Sequence, residues 1–472
     1  MKPLIALVVD HPLRDLPSTT LLAYELAKSG ADVCLVPLNL LMAETFAIAP
    51  DLLILNNIRR TTEGVLSGCI EHNISYGMLD TEGGLYGDLA PFEVSFSERQ
   101  DIRDNLACSF IWGKKVYDFI IKRKIFRENQ LLLTGSPRFD FYHPKWADFY
   151  KATQSNNEKI VLIPTKVSAA NPIGRTLEQE TKFLIDEIGY DEETVHRWRD
   201  VGIKQVKETI SMMKNLSKDF PDVKFVVRPH PHENLDTYAD ALSDYSNIEV
   251  IRKGTIDQWI ARSILLIHRK CTTAVEAMMA GVPSVAPLWV PTSANAPDAE
   301  KVSKLCENYE SLKESITDCL NGKDILSEEN YEAQKTIIDD WFFKIDGISY
   351  KRISDRLIDI VKNKDLSLKK DTKKLFFRFA NKPTSIRGFL GRVAFLCAHI
   401  IPLKLWGNLV HPHNKKWENT VKSFSKEEVQ EIVSAIAEAE DKGKGNIIVE
   451  SPSESTNYPR YYQGKSIFIR NK

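Results

Sequence analysis

The sequence of 472 residues lacks several features that would assign it to a class of protein at once. Its 63 Lys and Arg are balanced by 64 Asp and Glu, which gives a formal net charge of -1. A dedicated nucleic-acid binder needs a basic excess to contact phosphates, so this balance argues against that class. No window offers ~18 uncharged apolar residues in a row, and we expect no helix to span a bilayer.

Cysteine is scarce and unpaired. The seven cysteines occur singly, and no CxxC pair is present. This pattern disfavours a disulfide framework and a zinc ribbon, and it favours a reducing cytosol. The N-terminus opens with an apolar run that stops at Asp10 and a His-Pro pair, without a small-residue cleavage site. We therefore predict a first β-strand there rather than a signal peptide.

What is present is typical of a globular protein. Hydrophobic residues make up 43% of the chain and charged residues 27%. At roughly 100–200 residues per domain, the length predicts two to three domains, each able to bury its own core.

Short apolar runs alternate with helical patterns over residues 1–350. Leu4–Val9 is a predicted strand, and Ser18–Gly30 is a predicted helix with Ser18 as its N-cap. Continuous apolar strands separated by helices indicate a parallel sheet covered on both faces. The pattern restarts after the polar stretch Thr153–Lys159 with the strand Ile160–Pro164. The predicted fold class is α/β, with two doubly wound, Rossmann-like domains at residues 1–150 and 151–350.

The last region, residues 351–472, differs in composition, and we predict it to be mainly helical and basic. Between Leu368 and Lys416, eleven Lys and Arg accompany one acid and six aromatic residues. This mixture suits an anionic membrane surface, near which each basic residue contributes ~1 kcal/mol. The alternative is a small helical subdomain with a solvated basic face. Ser425–Glu440 is a predicted helix with Ser425 as its N-cap, and Asn457–Lys472 is a predicted tail.

The first candidate motif of the second domain follows the predicted strand that ends at Arg228. The next residues include His230, Pro231 and His232. Ligands of open α/β sheets bind outside the carboxyl ends of the strands, where these side chains fall. An arginine and two histidines can hold a phosphate by charge and hydrogen bonds, which predicts phosphate or nucleotide contact. Ordinary capping and surface roles are the alternative.

The second motif runs from a predicted strand through His268 into a helix that opens on Thr272 and Thr273. A helix N-terminus presents free N–H groups, and two hydroxyls beside them make an anion site. Glu276 lies in the first turn, where it completes a capping box with Thr273 or meets a nucleotide ribose.

In the first domain, a predicted strand runs into Asp80-Thr81-Glu82-Gly83-Gly84. A carboxylate is the usual general base when a sugar hydroxyl must lose its proton as it attacks. The two glycines would let a substrate approach the backbone closely. The alternative is an Asp/Gly turn with its acids in solvent.

A further strand-to-loop junction, Thr134-Gly135-Ser136-Pro137-Arg138-Phe139-Asp140, lies near the domain boundary. Arg138 and Asp140 are predicted to be cleft residues or a mutual ion pair.

Together, DTEGG, TGSPRFD, RPHP and CTTAVEAMMAGVPS resemble the bacterial "surface carbohydrate biosynthesis protein" group. More broadly, the set is similar to GT-B sialyltransferases and Kdo transferases, which use CMP-activated sugars. The resemblance implies two domains facing a cleft, with the acceptor in the first domain and the donor in the second. It implies Asp80 or Glu82 as the base and His230, Thr272 and Thr273 as ligands of the CMP phosphate and leaving group. It requires no metal and no cofactor.

One departure bears on the mechanism. Retaining β-Kdo transferases carry an Asp nucleophile on a loop before the His-Pro motif, whereas the corresponding loop here, Thr165–Asn171, has no acid. This favours an inverting single displacement with a carboxylate base. Ser168 and Asn171 are then expected to line the donor site.

The leading hypothesis is a glycosyltransferase that moves a Kdo or sialic-acid-like sugar from its CMP form to a bacterial surface glycan, such as an LPS O-antigen or a capsule. We expect it in the cytoplasm, docked on the inner face of the membrane through its basic region. The alternative is a CDP-glycerol-type polyol-phosphate transferase. A UDP-sugar transferase, a 2-epimerase and a non-catalytic scaffold for polysaccharide assembly are further possibilities.

Overall fold

The computed structural model describes residues 2–85, 89, 93, 96–153, 159–363, 422–441, 446–455 and 464–472. The basic segment 368–416, and with it the predicted membrane contact, lies outside the described residues. The chain divides into two units. The first consists of Met1–Gly84, Asp88–Phe141 and Trp341–Lys472, and the second of Leu85–Gly87 and Tyr142–Asp340.

The described strands and helices alternate along most of the chain. The strands are β1 Leu4–Val9, β2 Asp32–Pro37, β3 Leu52–Leu55, β4 Ser75–Leu79, β5 Leu106–Ile111, β6 Leu131–Leu133, β7 Ile160–Pro164, β8 Lys224–Arg228, β9 Ile248–Val250, β10 Ser263–Ile267, β11 Ser284–Pro287, β12 Lys304–Cys306, β13 Ile447–Glu450 and β14 Ile467–Asn471. The helices are α1 Pro12–Lys28, α2 Leu41–Ile48, α3 Glu63–Glu71, α4 Gln100–Asp104, α5 Lys114–Arg123, α6 Pro137–Asp140, α7 Leu177–Lys182, α8 Glu192–Asp219, α9 Asp236–Leu242, α10 Ile256–Ile260, α11 Thr273–Met279, α12 Pro297–Lys301, α13 Tyr309–Leu320, α14 Glu328–Trp341, α15 Ser349–Lys362 and α16 Lys426–Asp441. A π-helical turn, Phe183–Ile188, directly follows α7. Short 3-10 segments occupy Leu38–Leu40, Arg60–Thr62, Glu128–Gln130 and Pro144–Thr153.

The first unit contains an eight-stranded sheet in the order β13-β14-β2-β1-β3-β4-β5-β6. Its strands β1 to β6 pair in parallel, and β13 and β14 join antiparallel at the β2 side. In the sheet, β2 lies on one side of β1, and β3 and the strands that follow it lie on the other side. The connections therefore lead to opposite sides of the sheet at β1 and β3, which opens a crevice for ligands at the carboxyl ends of these two strands.

Helix α1 begins earlier than predicted, at Pro12 rather than near Ser18. Proline suits the first turn of a helix because its missing N–H would find no partner there and its φ is already helical. The predicted N-cap role of Ser18 is therefore wrong, and its hydroxyl donates instead to the carbonyl oxygen of Asp15 at 3.0 Å.

The predicted tail is also wrong in its last residues, because Ile467–Asn471 forms β14. Ile467, Phe468 and Ile469 are buried there, which gives the strand its hydrophobic stabilisation. The N-cap at Ser425 is confirmed, since the Glu428 N–H donates to its Oγ at 3.1 Å.

The second unit contains a six-stranded parallel sheet in the order β12-β11-β10-β7-β8-β9. Its core includes Phe225 and Leu265 from the sheet, Leu216 from α8 and Ile316 from α13. The direction reverses between β7 and β10, so a second ligand crevice is expected at their carboxyl ends. The predicted class, α/β with two units on parallel sheets, is confirmed, and the C-terminal region adds helices and two strands to the first unit.

Candidate functional site

The candidate site of the first unit lies at the carboxyl edge of its sheet, where β1, β3 and β4 are neighbours. Asp10 follows β1, Asn56 follows β3 and Asp80 follows β4. Parallel register places these strand ends at one edge, as Leu55 of β3 pairs with Met78 of β4.

Asp80 is buried at this edge, with 7% of its surface exposed. Its Oδ1 accepts the N–H of Glu82 at 2.8 Å, and its main-chain carbonyl accepts the Trp112 indole N–H at 2.8 Å. Burial raises the pKa of Asp80 from 3.8 to about 6, against the lowering effect of the Glu82 N–H. Asp80 is therefore a carboxyl group that titrates close to neutral pH, as a general base requires.

Glu82 differs from Asp80 in both exposure and partner. Its side chain is 57% exposed and forms an ion pair with Arg14 at 2.8 Å. Arg14 also contacts Asp10 at 2.7 Å and Asp15 at 2.8 Å. No sequence motif marked Arg14, although its place in the first helical turn after β1 meets the same strand-end criterion as the predicted residues.

Gly83 and Gly84 pack against the Trp112 ring. A Cβ on Gly83 would lie 3.2 Å from ring atoms and one on Gly84 3.1 Å, so side chains there would crowd the indole. Because these two glycines have no side chain, the chain after Asp80 can pass close to Trp112, whose indole N–H donates to the Asp80 carbonyl oxygen.

Arg138 shares a small cavity with Asp80, Asp15 and Ser136. Its volume is about 30 Å³, which suits a water molecule or two or a single hydroxyl group. Asp140, by contrast, is 1% exposed and accepts the backbone N–H groups of Ser349 at 2.9 Å and of Tyr350 at 2.8 Å. Asp140 thus anchors the start of α15, and this anchor rather than ligand contact accounts for its position.

In the second unit, Arg228 binds backbone carbonyl oxygens. It is 9% exposed, and its guanidinium donates to the carbonyl oxygens of Arg252 at 3.2 Å and Lys253 at 3.0 Å and to that of Gly254. Burial lowers its pKa from 12.5 to about 10. These bonds fix the loop after β9, so the guanidinium holds backbone oxygens where a phosphate contact was predicted.

The turn after β8 is organised by Glu233, a residue that has no predicted role. Glu233 is fully buried, and its carboxylate accepts Thr165 Oγ1 at 2.8 Å, the Val167 N–H at 2.9 Å and Tyr238 O–H at 3.1 Å. It also accepts the His230 N–H at 3.3 Å. One carboxylate therefore joins the loop after β7 to the loop after β8.

His230 and His232 lie on this turn with their ring centroids 5.4 Å apart. His230 Nδ1 accepts the His232 N–H at 3.3 Å, His230 is half-buried, and His232 is exposed. Pro231 between them is half-buried. The two imidazoles are thus held together at the carboxyl end of β8.

The loop after β7 contains Ser168 and Asn171. Asn171 is 6% exposed, donates to the carbonyl oxygen of Asn234 at 2.8 Å and accepts Thr237 Oγ1 at 2.6 Å. It therefore connects the two loops rather than facing a donor. Ser168 is half-buried, and its hydroxyl has no hydrogen bond to the described residues.

His268 is 2% exposed, and both ring nitrogens have partners. Nδ1 accepts the Cys271 N–H at 3.3 Å, and Nε2 lies 2.8 Å from Ser303 Oγ. Burial lowers its pKa from 6.5 to about 3, so the ring is neutral. With Nδ1 accepting, Nε2 carries the proton and donates to Ser303. These bonds occupy both ring nitrogens of His268, so the ring holds the unit together where a ligand contact was predicted.

At the start of α11, Thr272 is the half-buried N-cap residue, and no hydrogen bond of its side chain caps the helix. Thr273 is 8% exposed and its Oγ1 lies 3.2 Å from Cys271 Sγ. Glu276 is buried and accepts the Tyr142 O–H at 2.6 Å. The structure thus distinguishes an open Thr272 from two neighbours engaged inside the unit.

Within the described ranges, no group of three or more His, Cys, Asp and Glu could hold a metal ion. No helix in the same ranges is long and apolar enough to cross a membrane.

No family model matches the chain, and no curated protein does so either. Similar solved structures include a UDP-GlcNAc 2-epimerase from Neisseria meningitidis bound to UDP-GlcNAc, with 15% identity over 76% of this chain and 100% of that chain and a TM-score of 0.46. A glycosyltransferase from Rickettsia africae has 12% identity over 77% and 100% of the chains and a TM-score of 0.40. The wall teichoic acid polymerase TagF has 12% identity over 76% and 88% and a TM-score of 0.47.

Proposed function

We propose that the protein is a glycosyltransferase that moves a Kdo or sialic-acid-like sugar from its CMP form to a surface glycan, with Asp80 as the general base. The observation that carries this proposal is the buried Asp80 carboxyl, whose pKa of about 6 lies near neutral pH at the ligand edge of the first unit. The exposed Glu82 is already paired with Arg14. This favours Asp80 over Glu82 for the base.

The proposed chemistry is a single displacement. The acceptor hydroxyl attacks the anomeric carbon of the donor and gives its proton to the Asp80 carboxylate. The bond from that carbon to the phosphate oxygen of CMP breaks, and CMP departs with the electron pair. The loop Thr165–Asn171 supplies no carboxylate for a covalent intermediate, which supports inversion.

His230, His232 and Thr272 are the proposed ligands of the phosphate in the second unit, with Ser168 nearby on the loop after β7. Three arginines of this edge are engaged within the protein: Arg228 and Arg252 donate to backbone carbonyls, and Arg269 pairs with Glu300. Lys166, on the loop after β7, is exposed and leaves a cation at this edge for the phosphate of a donor.

The same proposal assigns the basic segment 368–416 to the inner membrane surface, next to which a lipid-linked acceptor would be found. Its content of basic and aromatic residues supports this assignment.

The test is a donor panel of CMP-Kdo, a CMP-sialic acid, CDP-glycerol and UDP-GlcNAc, each assayed for nucleotide release with the wild type and with Asp80→Asn. We expect CMP release from a CMP-sugar by the wild type and its loss in the variant. Release of CMP from CDP-glycerol with transfer of the phosphopolyol would instead support the polyol-phosphate transferase.

No turnover of any donor, together with retained cellular function in a double Asp80→Asn, Glu82→Gln variant, would support the scaffold. The wild type and the double variant are compared by surface-glycan analysis in the producing cell.

A further inference from the structure

The carboxyl end of β3 carries three side chains with buried polar atoms that have no hydrogen-bond partner. These atoms are Asn56 Oδ1, Asn57 Oδ1 and Arg59 Nε. Buried polar atoms are normally paired, so three such atoms within four residues call for an explanation.

Asn56 is the most buried of the three residues, with 3% of its surface exposed. Its Nδ2 donates to the carbonyl oxygen of Val8 at 3.3 Å, which places the amide between the ends of β3 and β1. This is the point where the strand order reverses and a ligand crevice opens. Asn57 comes next, and continuing the β3–β4 register puts it level with Asp80.

Arg59 is half-buried, and in the described part of the chain its guanidinium makes no hydrogen bond and no ion pair. Its charge nevertheless reaches Asp80, whose pKa it lowers against the effect of burial. The other cations around this edge are occupied: Arg14 binds Asp10, Asp15 and Glu82, and Lys422 binds Asp10 at 2.9 Å. Arg138 also interacts within the protein.

We propose that Asn56, Asn57 and Arg59 form a subsite that holds an acidic group of the acceptor, a carboxylate or a phosphate, beside Asp80. The guanidinium supplies charge and paired donors, and the amides, which can donate or accept according to their orientation, complete the contact. An acceptor bound in this way presents a neighbouring hydroxyl to the base.

The inference rests on the proposed function and deepens it, because it specifies the acceptor as acidic. A previously added ulosonic acid residue would supply a carboxylate, and a phosphorylated sugar or polyol would supply a phosphate. Both sources share the chemistry that Arg59 recognises.

The first experiment compares acceptors that differ only in the acidic group. One pair is glycerol 3-phosphate and glycerol, and the other is a sialic acid methyl glycoside and its methyl ester. We expect Arg59→Gln to raise KM for an acidic acceptor about 10- to 100-fold and to leave KM for its neutral partner unchanged.

Arg60→Gln is the matched control, since Arg60 is the exposed neighbour of Arg59, and it should leave both acceptors unaffected. Arg59→Lys should recover part of the loss, because it restores the charge but not the planar pair of donors. Thermal unfolding of each variant checks that the fold is intact. An equal effect of Arg59→Gln on acidic and neutral acceptors, or no effect on either, would overturn the subsite.

A second measurement separates this inference from the proposed function. Calorimetric titration with glycerol 3-phosphate and with the sialic acid methyl glycoside needs no donor. Binding to the wild type but not to Arg59→Gln, without turnover of any donor, would support the subsite and count against the transferase. Turnover of a CMP-sugar with no preference for acidic acceptors would support the transferase and overturn the subsite.

Discussion

The carboxyl edges of the two sheets treat their polar residues differently. In the first unit, Asn56 and Arg59 have buried polar atoms without partners beside the buried Asp80. In the second unit, the carboxylate of Glu233 and both ring nitrogens of His268 have partners inside the unit. The unpartnered buried atoms of the first edge lie beside an acid, whereas those of the second edge, Arg252 Nε and Thr255 Oγ1, lie on the loop after β9.

A polar residue after a strand is therefore a ligand candidate only if the fold leaves its side chain open. Arg228 and His232 come from one motif, yet Arg228 is buried against backbone carbonyls and His232 is exposed. The strand end gives the location, and the partners of each side chain determine its role.

The largest effect is expected from Asp80→Asn, which removes the proposed base from the first edge. We expect turnover to fall about 10³-fold, within the usual range for general base catalysis, because the amide cannot take the acceptor's proton. Glu82→Gln is the matched variant and should cost less than about 10-fold, since Glu82 is exposed and paired with Arg14. Steady-state kinetics with the preferred donor measures both. Equal losses would remove the distinction between the two acids.

The pH profile sharpens the same assignment. The pKa of Asp80 is raised to about 6, so the carboxylate needed to accept a proton is present above that pH and is lost below it. Below pH 6, turnover should fall about tenfold for each pH unit. A wild-type profile flat down to pH 4.5 would contradict Asp80 as the base.

The second edge is tested by Glu233→Ala, which should act on stability. Removing the carboxylate leaves the buried donors of Thr165, Val167 and Tyr238 without their acceptor. We expect the free energy of unfolding of the second unit to fall by about 3 kcal/mol. Asp236→Ala, which removes a nearby exposed carboxylate, is the control and should change the free energy of unfolding by less than about 0.5 kcal/mol. Urea unfolding measures both, and a small effect of Glu233→Ala would show that the loops hold together without it.

His268 predicts a pH dependence of stability in the same unit. Its pKa is lowered in the folded state from 6.5 to about 3, so unfolding binds a proton between those values. The stability is fully present above pH 6.5 and falls as the pH drops, by about 2 kcal/mol at pH 5. Unfolding curves from pH 7 to 5 measure the slope. His268→Gln should flatten it, His232→Gln should not, and an unchanged slope in His268→Gln would contradict the neutral buried ring.

The smallest expected effect is a difference in CMP binding between variants of Thr272 and Thr273. Thr272→Val removes an open hydroxyl and should weaken CMP binding about tenfold with little change in stability. Thr273 is buried beside Cys271, so Thr273→Val should change the melting temperature more than it changes binding. Calorimetric titration with CMP and thermal unfolding give the two readouts. The reverse pattern would place the ligand contact on Thr273.

The α/β class followed from local sequence because buried parallel strands are continuous apolar runs, as Ile160–Pro164 and Leu4–Val9 show. The helix start at Pro12 and the strand Ile467–Asn471 did not follow. The helix start depends on Pro12, which a hydrophobic pattern does not take into account. The strand depends on pairing with β2, over 400 residues earlier in the chain.

The two α/β repeats and the strand ends at which polar residues gather follow from the amino-acid sequence, since both depend on short-range periodicity and turn chemistry. Which of those residues stay open depends on tertiary packing. Burial and hydrogen bonds come from distant segments, as Asp140 shows by accepting the N–H groups of Ser349 and Tyr350 more than 200 residues away. For the same reason Arg59, which no motif marked, became a candidate ligand, whereas Arg228, which a motif did mark, became part of the scaffold.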